Sequence, residues 1–144
     1  PFFVMSFFKK NVLRGLHIQT KNSQAKIITV TQGKIFDVAV DLRKKSNTFG
    51  EHIAVVLDDE FKRQLFVPKG FAHGFVVLSE TAVFSYKVDN YYAPECDRGI
   101  AFDDAALAID WQLKASDLQL STKDTHQPLF QDADYFTNSI NLYV

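Results

Sequence analysis

Lys34-Ile35-Phe36-Asp37-Val38-Ala39-Val40-Asp41-Leu42 alternates with a period of two. Phe36, Val38, Val40 and Leu42 fall on one side, and Ile35, Asp37, Ala39 and Asp41 on the other. Successive side chains of an extended chain point to opposite faces, so this is the pattern of a half-buried antiparallel strand. Toward the N-terminus, Gln32-Gly33 supplies a short turn of the hairpin type and Lys26–Thr31 a partner strand. Toward the C-terminus, the polar loop Arg43–Gly50 leads to a strand over His52–Leu57. A turn at Asp58–Glu60 precedes Arg63–Val67, which Pro68-Lys69-Gly70 ends. Phe75–Leu78 and Thr81–Val88 form the next pair. Short strands broken by frequent turns predict an all-β sandwich or barrel. The last third differs, with Asp103–Leu107 and Ala115–Leu118 reading as short helical turns or irregular segments around Ile109-Asp110-Trp111. No repeat, linker or low-complexity tract divides the chain, so residues 1–144 are expected to form a single β domain with a C-terminal appendage.

A chain of 144 residues is long enough to bury roughly two-thirds of its unfolded surface in one core. Its fourteen Phe favour pleated surfaces and barrel interiors. Sixteen cationic side chains against seventeen anionic ones leave a net charge of -1, which gives no reason to expect nucleic acid or an acidic membrane as partner. An anionic ligand therefore needs a local group of cations. Cys96 is the sole cysteine, which excludes an internal disulfide and a multi-cysteine metal site and suits a reduced, cytoplasmic setting. The apolar start Pro1–Phe8 is too short to span a bilayer and has no basic residues ahead of it. With Pro in first place, the start is expected to be truncated or processed.

Several segments carry residues suited to chemistry. Val12-Leu13-Arg14-Gly15-Leu16-His17-Ile18-Gln19 and Phe66-Val67-Pro68-Lys69-Gly70-Phe71-Ala72-His73-Gly74-Phe75 set one cation and two histidines in apolar, β-type surroundings. Between and after them come Gln24-Ala25-Lys26, Phe84-Ser85-Tyr86-Lys87, Asn90-Tyr91-Tyr92-Ala93-Pro94 and Leu120-Ser121-Thr122-Lys123-Asp124. On the strand Thr81–Val88, Tyr86 shares a face with Ala82, Phe84 and Val88. In this order, from about Asn11 to Asp134, the segments resemble the dTDP-4-dehydrorhamnose 3,5-epimerase (RmlC) family of the cupin superfamily. The resemblance implies a cupin-type double-stranded β-helix, a jelly-roll barrel, with short C-terminal helical segments.

It also implies roles. His17 falls on the family's catalytic base and Asp124 on the aspartate paired with it. A carboxylate bonded to imidazole fixes the tautomer and raises basicity, as removal of a weakly acidic carbon proton requires. Tyr86 falls on the general acid. Lys26 falls on the lysine that stabilises the enolate, an effect of the oxyanion-hole kind. Arg14, His73, Asp97 and Lys123 match positions that contact the nucleotide-sugar, and an arginine fork suits a diphosphate. Tyr91 and Tyr92 serve either to stack on a base or sugar or simply to pack. The implied substrate is a dTDP-linked 4-keto-6-deoxyhexose, epimerised at C3 and C5 in dTDP-rhamnose biosynthesis.

Some positions depart from the family pattern: Ile18 stands for an aromatic residue, Ala25 for glycine and Asp97 for glutamate. Family members carry a longer N-terminal arm that supplies polar substrate contacts, whereas here Phe2, Phe3, Val4 and Met5 occupy the corresponding stretch. Two alternatives stay open for that reason: a truncated, non-catalytic nucleotide-sugar-binding cupin, and an epimerase acting at only one carbon. Metal-binding cupins present two histidines one residue apart. His17 has no such neighbour, and His52 and His126 lie elsewhere, so neither metal nor cofactor is expected. The odd spacing of Arg14 and His17 sends them to opposite faces of a regular strand unless Gly15 marks a bulge. A homodimer is expected, built by sheet pairing and covered by Phe2, Phe3, Phe7 and Phe8, and held less tightly than with a complete arm.

Overall fold

The computed structural model describes residues 2–137 and 141–143. Within them lie β1 (Phe2–Lys9), β2 (Leu13–Gln19), β3 (Lys26–Gln32), β4 (Lys34–Asp41), β5 (His52–Asp58), β6 (Gln64–Val67), β7 (Phe71–Val77), β8 (Thr81–Val88) and β9 (Asp97–Gly99). They form two antiparallel sheets, ordered β1-β8-β3-β6 and β5-β4-β7-β2-β9. Of the connections between consecutive strands, only β4 to β5 stays within one sheet; each of the others crosses to the opposite sheet. That wrapping is a jelly roll, the fold the resemblance implied.

The crossing corrects the hairpin expected at Gln32-Gly33. β3 and β4 follow one another but lie in different sheets, so Gly33 is a corner. Its φ is +83°, and its N–H donates to Asp59 Oδ2 at 2.8 Å, which ties the corner to the β5–β6 turn. A local turn signal cannot distinguish a hairpin from such a corner, because the choice depends on which strands pair at long range.

Two further expectations are corrected. β4 was expected to be half-buried, yet Ile35 through Asp41 are all buried. One face packs between the sheets with Ile28, Val30, Leu57, Phe75 and Phe84. The other, carrying Phe36, Val38 and Val40, packs under the C-terminal segment against Leu107 and Trp111. That segment holds itself in place with polar contacts: Trp111 Nε1 donates to the Phe102 carbonyl at 2.7 Å, and Asp104 accepts the Phe130 N–H at 2.5 Å. In addition, β7 begins at Phe71 rather than Phe75, so His73 is a strand residue. The short helical turns expected in the last third appear as a 3-10 turn at Ala115–Asp117, with others at Lys123–His126 and Phe130–Asp132.

The parity of Arg14 and His17 is settled by an irregularity between them. β2 pairs with β7 through Arg14 opposite Phe75 and His17 opposite His73, with a register shift in between. Gly15 sits at that shift with φ +128°, and a Cβ there would lie 2.5 Å from Gly74 Cα. Both Arg14 and His17 consequently face the space between the sheets. Gly15→Ala is expected to destabilise the protein by about 2–4 kcal/mol, combining a backbone conformation unsuited to an L side chain with a clash against β7 backbone. Denaturant unfolding measures it; a midpoint equal to the parent's would show that the chain at Gly15 tolerates a Cβ and that no strained bulge is needed there.

Candidate active site

Two connected hollows open between the sheets. The outer one has a volume of about 640 Å³ and the inner one about 220 Å³, and His17, Lys26 and Tyr86 line both. His73 and Arg14 line the inner hollow, and Asp97, Lys123, Tyr91 and Tyr92 the outer. The sequence expectation that His17, Lys26, His73 and Tyr86 share one cavity therefore holds in geometry.

The wall formed by the five-stranded sheet carries His17 on β2. Its Nε2 lies 2.5 Å from Asp124 Oδ1, on the 3-10 turn Lys123–His126, whose one buried residue is Asp124. Burial alone pushes the Asp124 carboxyl up. The hydrogen bond and charge of His17, together with bonds from Ser121 and the Gly15 backbone N–H, outweigh that and hold it below the ordinary carboxylate value. Asp124 is thus an anion anchored at the back of the imidazole, while the His17 side chain keeps 28% of its surface open toward the cavity. The bulge at Gly15 contributes doubly, by turning His17 inward and by aiming its own N–H at Asp124.

The facing wall is the four-stranded sheet. Lys26 begins β3, and Tyr86 is on β8, where Ile28 pairs with Tyr86 and Lys26 with Val88. Lys26 and Tyr86 are therefore diagonal neighbours on one inward face. Burial pushes the Tyr86 phenol up, partly offset by the Ser6 hydroxyl, so Tyr86 holds its proton at neutral pH. Burial pushes the Lys26 ammonium down, and the charges of Asp37 and Asp97 oppose this.

Around the outer hollow, Lys123 bridges to Asp97, and the Tyr92 hydroxyl donates to Asp97 Oδ2 at 3.4 Å. Tyr91 and Tyr92 are exposed at 68% and 66%, too open for core packing, and the Phe2 ring sits 4.5 Å from that of Tyr91. Arg14 anchors one nitrogen on the Leu13 and Gln119 carbonyls at 2.8 and 3.2 Å, and its guanidinium lies over the Phe8 ring.

Sequence reasoning missed the part played by five residues. Phe2, Phe3 and Val4 line the outer hollow because β1 pairs with β8. Ser6 reaches Tyr86 from the same strand. Asp37 is fully buried with its Oδ1 2.6 Å from His73 Nε2. A signal for Asp37 existed, since it shares a face of β4 with Ile35 and Ala39, but a half-buried strand leaves one face to solvent and the alternation does not say which. Among the described residues no three His, Cys, Asp or Glu side chains come together in a way that could hold a metal ion.

Fold and cavity together define a cupin-type barrel with an imidazole–carboxylate pair on one wall and a phenol and an ammonium on the other. The family model for dTDP-4-dehydrorhamnose 3,5-epimerase matches residues 3–132. The chain belongs to that family, whose members are carbohydrate epimerases, a kind of isomerase. A dTDP-4-dehydrorhamnose 3,5-epimerase of Pseudomonas aeruginosa is 51% identical over 127 residues, covering 88% of this chain and 70% of that protein. The crystal structure of the Elizabethkingia anophelis enzyme superposes with a TM-score of 0.92 at 49% identity, covering 94% of this chain and 75% of that one. That of the Legionella pneumophila RmlC, in complex with dTDP-4-keto-L-rhamnose, gives 0.90 at 48% identity, covering 93% and 71%.

Proposed function

We propose that this chain carries out the family reaction with His17 as base, Asp124 as its anchor, Lys26 as enolate stabiliser and Tyr86 as acid. The reaction is epimerisation of dTDP-4-dehydro-6-deoxy-D-glucose at C3 and C5 to dTDP-4-dehydro-L-rhamnose, a step of dTDP-rhamnose biosynthesis. The C4 ketone acidifies the hydrogens on both neighbouring carbons. His17 removes one of them, charge moves onto the C4 oxygen beside Lys26, and Tyr86 returns a proton from the other side; the cycle repeats at the second carbon. No redox change occurs, and the protons exchange with solvent between cycles.

The single observation that supports this reading is that an imidazole and a phenol stand on opposite walls of one cavity, His17 on β2 and Tyr86 on β8. Inversion needs removal on one face and delivery on the other. Arg14 and His73 in the inner hollow, and Asp97, Lys123, Tyr91 and Tyr92 in the outer one, are proposed as the contacts to the nucleotide-sugar. The exposed rings of Tyr91 and Tyr92 offer stacking surfaces for a base. The same reading treats residues 1–144 as one cupin domain working in the cytoplasm.

Deuterium incorporation from D2O into the substrate at C3 and C5 tests it; absence of exchange at both carbons rejects the catalytic reading. Tyr86→Phe is expected to keep exchange within about 10-fold of the parent while epimerised product falls by about 10²–10⁴-fold. Removing the acid stops delivery from its face, yet His17 still takes and returns protons on its own side. Equal loss of exchange and product would contradict the role given to Tyr86.

A homodimer is proposed with it. β1 places Phe3, Met5 and Phe7 on the outer face at 58%, 60% and 59% exposure, whereas Phe8, expected to join them, turns inward onto Phe75 and Phe84. Apolar side chains gathered in this way favour a protein partner over water. Light scattering over a dilution series is expected to give twice the chain mass at micromolar concentration, and a monomer at every concentration rejects it.

A further inference from the structure

Asp37 is an expensive residue to keep where it is. It lies on the inner face of β4 between Phe75 of β7 and Val55 of β5, with Ile35 and Ala39 on the same face, and none of its surface is exposed. Its Oδ1 is bonded to His73 Nε2 at 2.6 Å. Its Oδ2 is buried without a hydrogen-bond partner, and it is the one such side-chain atom among the described residues. An apolar residue would fill this sheet position at lower cost, because a buried carboxylate oxygen without a partner forfeits its hydration. Buried polar atoms of this kind call for a reason.

The reason lies across the sandwich. Lys26 sits on the inward face of the opposite sheet and lines the same inner hollow as His73. Of the two carboxylates that act on the Lys26 ammonium, Asp37 has the larger effect, ahead of Asp97. We propose that Asp37 is a positioning residue with two functions: one oxygen orients the His73 ring, and the other supplies the buried counter-charge that keeps Lys26 an ammonium while the substrate is in place. This rests on the reading of Lys26 as enolate stabiliser. A lysine drained of charge by burial would be neutral when the C4 oxygen needs it. A carboxylate with both oxygens bonded would be screened; Asp37 instead faces the space between the sheets, bonded through one oxygen to the His73 that lines the hollow with Lys26, and its second oxygen meets no donor.

The charged and titratable groups around Lys26 are Asp37 on β4, Arg14 and His17 on β2, His73 on β7, Tyr86 on β8, Asp97 on β9 and, outside the strands, Tyr91, Tyr92 and Lys123 of the outer hollow. The test is the pH profile of solvent-deuterium exchange, read in the Tyr86→Phe background so that the phenol no longer titrates. Exchange is lost as pH rises through the Lys26 value, and removing a nearby negative charge lowers that value. Asp37→Asn is expected to reduce kcat by about 10–100-fold at neutral pH with KM within about threefold, and to move the alkaline limb down by about one pH unit. His73→Gln, which leaves the carboxylate in place, is expected to raise KM but to leave the alkaline limb where it was or higher. A folded Asp37→Asn protein with the parent's kcat and alkaline limb overturns the proposal. So does a His73→Gln limb that falls by about one pH unit below the parent's, since Asp37 would then act only through the ring; this second variant is read against the parent alone and so decides the matter even if Asp37→Asn does not fold. A parent protein without exchange overturns instead the reading of the site itself.

Discussion

His17→Ala abolishes the chemistry: deuterium exchange at C3 and C5 and product formation are expected to fall together by about 10³–10⁴-fold, the upper range for loss of a positioned general base. Both carbons should suffer alike, because one imidazole serves both and the ketone lies between them. Nucleotide-sugar binding should survive within a few-fold, since Arg14 and, apart from His17 itself, the residues of the outer hollow are untouched. Single-turnover exchange followed by NMR, with dTDP binding by calorimetry as control, measures both. The cavity holds a second imidazole–carboxylate pair, His73 with Asp37, and the two histidines are cross-strand neighbours. If exchange at one carbon persisted at the parent rate in His17→Ala and vanished in His73→Gln, the assignment of a single base would fail. The geometry favours His17: its side chain is 28% open against 9% for His73, and it lines both hollows while His73 lines only the inner.

The residues expected to meet did meet because their local signals were of the kind sequence carries. Tyr86 faces inward since the alternation over Thr81–Val88 is unbroken, and that strand has the expected bounds. His17 was harder. Its direction depends on the register shift at Gly15, which a period-two reading could pose as a question but not answer. The pairing of His17 with Asp124 spans 107 residues of chain and was legible only through the resemblance. Asp37 was misread for a related reason. Burial of both faces of β4 is produced by Leu107, Trp111 and their neighbours returning from the C-terminal segment, and nothing within Lys34–Leu42 announces that cover. Likewise Gly33 makes a corner rather than a hairpin because β4 finds β7, not β3, as its partner. Side-chain period reports a face, and long-range pairing decides what the face meets.

Lys26→Met gives the second large effect, and it should differ in kind from that of His17→Ala. Methionine fills a similar space without charge, so the hollow keeps its shape and the desolvation cost at this position disappears. It also leaves the buried Asp37 carboxylate without the counter-charge proposed above, so the protein is expected to be less stable than the parent in denaturant unfolding. Catalysis needs a cation where the C4 oxygen becomes negative, and that charge exists only in the enolate and the transition states leading to it. Loss of such an electrostatic contact is expected to lower kcat by about 10²–10³-fold with KM changed by no more than a few-fold. The two carbons should again be affected together, because both enolates place their charge on the same oxygen. Lys26→Arg separates charge from position: it restores the cation with a longer, planar head, and is expected to recover part of the loss and to remove the alkaline limb that the lysine produces. A Lys26→Met enzyme with unchanged kcat and raised KM would make Lys26 a ground-state binding residue, and enolate stabilisation would have to be sought in Arg14 or His73, the other nitrogen donors lining the inner hollow.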